Sequence, residues 1–198
     1  MNAIEMLIQQ LDTVNIRLHH SAADLAPEEL VARPLPGVNP IGFILWHMAR
    51  SQDWAVNTAL RDVPEVIKDP RWRDTSLAVP GIGTGFALEE AGDVAGRVDL
   101  PTLLAYADAV HGGAVAWLRA HDDAMLDEIP DAAAHDAPHP EYQTSGFRAE
   151  MDGGPEHDDA VGRKGGLPAW VYLASVAVTH LHRHLGEVDL IKAVLRVH

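Results

Sequence analysis

One helix dictates what this chain can fold into. After Gly166-Leu167-Pro168, roughly 30 residues run nearly to the C-terminus, and at about 1.5 Å per residue they span some 45 Å, a full side of a helical bundle. The stripe that such a helix buries reads Trp170, Leu173, Ala177, His180, His184, Val188 and Ile191. His180 and His184 stand one turn apart on that face, while His182 points almost opposite. Two imidazoles where a core belongs are a usual way to hold a transition metal. Glu187 follows three residues after His184 on the same side. It can bind an ion, act as a catalytic base, or orient His184 through a hydrogen bond, and the last role is favoured.

Spacing alone does not establish a site in a chain with 12 histidines among 198 residues. His135 and His139 share the same spacing, but Pro138 and Pro140 keep that segment from being a regular helix. What separates His180 and His184 from chance is the apolar stripe, together with a third histidine placed to join them.

That third residue is His47. Asn39 followed by Pro40 is a helix-start signal, and the helix it opens runs from about Pro40 to Leu60. Phe43, His47, Arg50, Ser51 and Trp54 share one face of it. His111, on a helix from Asp99 to about His121 whose buried side includes Leu103, Ala107, Val110 and Leu118, is a reserve ligand. Gly112 and Gly113 beside it suggest a constrained region. His19 and His20, late in a first amphipathic helix over residues 3 to about 24, read as solvated.

The connections complete the outline. Residues 61 to 85 are rich in Pro and Gly and too long for a tight hairpin, so they read as a crossover, with Trp72 and the run from Val79 to Phe86 at the mouth of a pocket. The run is not a dinucleotide fingerprint, because no strand precedes it. Glu89 to Val98 is a short helix. Residues 130 to 166 mix Pro and Gly with acidic residues and His and carry few large apolar groups, so they read as a mobile surface insertion, a possible lid. The whole of 1–198 is expected to form one domain.

Composition removes several function classes. With 15 Lys and Arg against 29 Asp and Glu, the formal net charge is -14, which opposes binding to nucleic acid or to an anionic membrane surface. Without cysteine there is no disulfide framework, thiolate metal site or cysteine nucleophile, so any metal must use His, Asp or Glu. No basic leader with an apolar run, and no long apolar span, is present. The expectation is a soluble cytoplasmic protein.

Four long helices, the crossover after the second, the segment Gly37-Val38-Asn39-Pro40-Ile41-Gly42-Phe43-Ile44-Leu45-Trp46-His47-Met48-Ala49 and the segment His180-Leu181-His182-Arg183-His184-Leu185-Gly186-Glu187 together resemble the DinB-like superfamily. The second segment follows that family's pattern of His, three residues, His, one residue, Gly, then Gln or Glu. The region from Pro80 to Phe86 is similar to the branch whose function is unknown, related to mycothiol- and bacillithiol-dependent enzymes. The resemblance implies an all-α, up-down-down-up four-helix bundle, a divalent metal on His47, His180 and His184, and frequent homodimers. A thiol cosubstrate is implied by association alone.

The resulting expectation is a metal-dependent enzyme acting on a small molecule. Three neutral imidazoles leave a divalent ion, zinc or nickel in the first instance, its charge and an open position, so a water or small thiol there is activated for transfer or hydrolysis. A metalloprotease is excluded, since Leu181 stands where that motif needs Glu. The alternative is a non-catalytic metal-binding or dimerisation module, in which the histidines satisfy one another.

Overall fold

The computed structural model describes residues 1–130 and 168–197, and the described residues form helices and connecting turns with no strand. Helix α1 spans Ala3–Ala22, α2 Pro27–Val31, α3 Ile41–Asp53, α4 Leu88–Ala95 and α5 Leu100–Arg119. Helix α6 begins as Ala169–Val171, widens into π-helical turns over Tyr172–His180 and resumes α geometry over Leu181–Leu195. Helix α3 likewise continues as π-helical turns, Trp54–Leu60. The expected insertion over 130 to 166 lies, apart from Pro130, outside the described residues. No helix among the described residues is long and apolar enough to cross a membrane.

The long helices assemble as the expected all-α bundle. Helices α1 and α3 each pack against both α5 and α6, which sets α1 and α3 at opposite corners. Helix α1 is held at its start by a reciprocal cap, in which Asn2 Oδ1 accepts from the Glu5 amide at 2.8 Å and the Glu5 carboxylate accepts from the Asn2 amide at 3.2 Å. Asp123 takes the next two amides, those of Ala3 and Ile4, each at 3.0 Å. Its buried face is Ile4, Leu7, Ile8, Leu11, Val14 and Leu18, the spacing of an amphipathic helix.

Helix α3 behaves differently. Every residue from Ile41 to Asp53 is buried, so the helix that carries His47 is covered all round and has no face to water. Its start is not capped by Asn39: the residue at the cap position is Pro40, without a side-chain bond, and Asn39 lines a cavity. Helices α2 and α4 close over α3 at Gly42, where an added Cβ would lie 3.1 Å from the Leu30 carbonyl oxygen and 3.2 Å from Ala95 Cα. Only a residue without a side chain lets three backbones meet so closely.

The crossover folds back onto α3 and α5 through the 3-10 turn Val66–Lys68. This carries Trp72 into the core, 5 % exposed and edge-on to Tyr106 with ring centroids 5.7 Å apart, so it does not line a pocket mouth as expected. Two further expectations are corrected. Gly112 and Gly113 mark no constraint, because an added Cβ at either meets nothing within 4 Å. Trp170 is 43 % exposed and leaves the buried stripe, because π-helical turns close with i to i+5 bonds and advance each residue by a smaller angle than an α-helix. A stripe extrapolated back from His180 at α-helical pitch therefore drifts off the core face across Tyr172–His180.

Candidate metal centre

The two π-helical stretches pack against each other, and Trp54, Ala55, Ala59, Ile82, Tyr172 and Val176 bury themselves between them. Immediately beyond, α3 and α6 bring His47, His180 and His184 together. His180 Nε2 lies 2.8 Å from His184 Nε2 and 3.3 Å from His47 Nε2, and the ligand-capable atoms of all three lie within 4.8 Å of one another. Zinc holds imidazole nitrogens at about 2.0–2.1 Å, which places ligand nitrogens roughly 3.3 Å apart around a tetrahedron. The His180–His47 separation matches that value, the His180–His184 pair is closer, and the three residues form a group that could hold a metal ion.

Two of the rings are oriented by partners on their far sides. His47 stacks on Phe43, with ring planes 3° apart, and its Nδ1 donates to the Ile82 carbonyl oxygen at 2.5 Å. His184 Nδ1 donates to Glu187 Oε2 at 2.7 Å. In each case the proton on Nδ1 leaves Nε2 with its lone pair aimed into the cluster. His180 Nδ1 is buried with no hydrogen-bond partner among the described residues, so no partner on its far side orients that ring.

Burial keeps His47 and His180 neutral. Desolvation pushes the His47 pKa down to about 4 against the support of its Ile82 bond. Desolvation and the two neighbouring imidazoles push His180 down to about 3. Rings that resist protonation at neutral pH offer lone pairs without competition from protons, which is what a divalent ion requires. Glu187, its pKa lowered chiefly by its bond to His184, remains a carboxylate acceptor.

The cluster opens onto a cavity of about 310 Å³ whose apolar wall is Phe43, Ile44 and Val176. Gly83 and Thr84 of the crossover complete one side, so the glycine-rich run does reach the site as expected from sequence. His111 does not. It pairs with Asp12 at 3.0 Å on the α1–α5 side. His19 pairs with Asp108 at 2.8 Å, and His182 faces Arg17 at 3.4 Å.

Sequence reasoning missed the group that fixes the crossover to α3. Arg50 Nη1 contacts Glu65 Oε2 at 2.6 Å, Asp53 Oδ2 at 3.4 Å and the Tyr106 hydroxyl at 3.2 Å, all of them buried. The Tyr106 hydroxyl donates to Asp53 Oδ2 at 2.6 Å, and Asp53 also accepts the amides of Val66 and Ile67 at 2.9 and 3.1 Å. Desolvation first, and the Glu65 charge second, raise the Asp53 pKa. Arg50 donates in addition to the Gly81 carbonyl oxygen from Nε and Nη2, at 3.3 and 3.1 Å. Gly81 is therefore pinned by Arg50, and the next residue, Ile82, orients His47. The available signal was a run of charged and polar residues, Arg50 to Asp53, on a helix with no polar face.

Gly83 ends this segment at φ +92°, with an added Cβ only 2.8 Å from Phe43 Cζ and from Trp46 Cζ3. Gly83→Ala is expected to cost about 1–3 kcal/mol through the positive φ and the overpacked aromatics. Thermal melts of the metal-free protein check this, and a variant melting within a degree of the parent would contradict it.

A family model described as the DinB superfamily matches residues 10–188. No curated protein matches the chain significantly. Among solved structures the chain is similar to the crystal structure of a conserved protein from Enterococcus faecalis, with a TM-score of 0.70 and 17% identity over 98% of this chain and 97% of that one. At that identity the likeness is one of fold.

Proposed function

The chain belongs to the DinB superfamily, and on that premise we propose that it is a divalent-metal protein whose three-histidine centre activates a small thiol or a water for transfer or hydrolysis. The observation that carries this reading is the convergence of three Nε2 atoms from two helices at the foot of an open cavity. His47, His180 and His184 would hold the ion. A divalent ion bound by neutral imidazoles supplies Lewis acidity, lowering the pKa of a thiol or water at its open position.

The chain's own groups do the rest. Ile82 and Glu187 hold the tautomers of His47 and His184, so both present a lone pair before an ion arrives. Glu187 is thus a positioning residue for His184 rather than a base, and it is not part of the cavity lining. Phe43, Ile44 and Val176 exclude water from one side of a bound substrate, which strengthens every charge interaction within the site.

The test is elemental analysis of protein purified without an affinity tag, before and after zinc or nickel is added back, with melting curves on both samples. Near one ion per chain and a rise in melting temperature are expected. A stoichiometry that stays near zero ends the reading. One ion per chain with no turnover of any thiol and electrophile pair, or of any hydrolysable ester or amide, would favour a metal-binding module without catalysis.

A further inference from the structure

The cavity above the histidines has an uneven charge. Among the described residues its polar lining beside the histidines is Asn39, Thr84, Ser175 and Arg183, with no carboxylate, although the chain as a whole carries a net charge of -14. Arg183 sits between His180 and His184 on α6 and is exposed. Among the described residues its guanidinium has no hydrogen-bond or ion-pair partner, unlike Arg50, Arg196 and Lys192, which are bound to carboxylates. Arg183 lines the same cavity as His180 and His184.

The metal reading sharpens this imbalance. Three neutral imidazoles offset none of a divalent ion's charge, and Glu187, whose carboxylate bonds His184, lies outside the cavity lining. A ligand entering the cavity therefore meets both the ion and a guanidinium that no described carboxylate of the lining offsets. A guanidinium offers parallel N–H donors that match a carboxylate fork to fork. The volume of about 310 Å³ stands at the low end of small-molecule pockets, roughly 300–1,000 Å³. A single cation among the described residues of the lining suits a singly charged oxyanion better than a phosphate dianion.

Resting on the metal-centre reading, we propose that the site selects a small carboxylate-bearing molecule, its carboxylate on Arg183 and a thiol or hydroxyl a few bonds away directed at the three-histidine ion. Arg183 is then the specificity-determining residue of the cavity.

The experiment uses the full chain loaded with zinc and two probes of nearly equal size, mercaptoacetate, which is anionic, and 2-mercaptoethanol, which is neutral. Calorimetric titration of each into the parent, Arg183→Gln and Arg183→Lys proteins reads the affinity ratio, with metal content measured afterwards. The parent is expected to favour mercaptoacetate by at least about tenfold, with the ratio falling toward one in Arg183→Gln and lying between in Arg183→Lys. Metal content should be the same in all three, and 2-mercaptoethanol affinity should change far less than that of mercaptoacetate. A preference that survives in Arg183→Gln reports chelation of the ion by the carboxylate and overturns the assignment, as does a parent with no preference. Failure to load zinc at all removes the metal centre and this inference together, whereas loading without a charge preference removes only the second.

Discussion

A His184→Gln protein is expected to fold, to bind zinc or nickel roughly 100- to 1,000-fold more weakly than the parent, and to lose the rise in melting temperature on metal addition. Structural zinc sites with four ligands are worth about 10–16 kcal/mol, so one ligand carries about 3–4 kcal/mol, or two to three decades in affinity. Gln keeps most of the volume and a polar head, and His184 is partly exposed, so the bundle need not rearrange. His180→Gln should behave alike. His111→Gln is the matched control, being a half-buried histidine paired with Asp12 away from the cluster, and should leave metal affinity untouched. Competition against a chromophoric chelator measures the affinities. Equal affinity in His184→Gln and the parent would remove the centre from this place in the fold.

The centre was legible because its periodicities are local. His180 and His184 are four apart at the point where α6 returns to α geometry, so the helical rule applies to that pair even though it fails for Trp170 ten residues earlier. His47 could be placed because α3 is regular from Ile41 through Asp53. That the two helices face each other was not written in either segment. It follows from π-helical stretches that widen both and pack one against the other, a geometry that no apolar spacing announces.

The supports of the site were less legible for a related reason. Ile82 acts through its backbone carbonyl, and any residue type has one, so the sequence carries no mark of it. Glu65 and Tyr106 reach Arg50 and Asp53 from the crossover and from α5, and pairings between distant segments are set by the packed fold. Trp72 was misplaced for the same cause: a tryptophan among prolines and glycines reads as a loop residue until the 3-10 turn Val66–Lys68 folds the crossover onto α3 and α5.

Those supports set the second large effect. Arg50→Met is expected to destabilise the protein by about 3–5 kcal/mol, the loss typical when one partner is taken from a buried charge group, or roughly 10 °C in melting temperature for a chain of this size. Methionine fills much of the space but takes the Arg50 cation away from the two buried carboxylates, Asp53 and Glu65. Asp53 already has a pKa above the ordinary 3.8, through desolvation first and the Glu65 charge next, and losing Arg50 raises it further. A folded-state pKa above the unfolded one means that the native state holds the extra proton. The favourable contribution is then complete at low pH and is lost as pH rises through the folded pKa. The deficit relative to the parent should therefore be larger at pH 8 than at pH 5, and Arg50→Met with Glu65→Gln should recover part of it at the higher pH by removing one charge. Metal affinity should fall alongside stability, because Gly81 loses both donors that pin it and Ile82 then holds His47 less firmly. Urea unfolding of single and double variants at the two pH values decides the matter: a deficit that does not change with pH would mean that lost packing around Arg50, and not the charge group, holds the crossover in place.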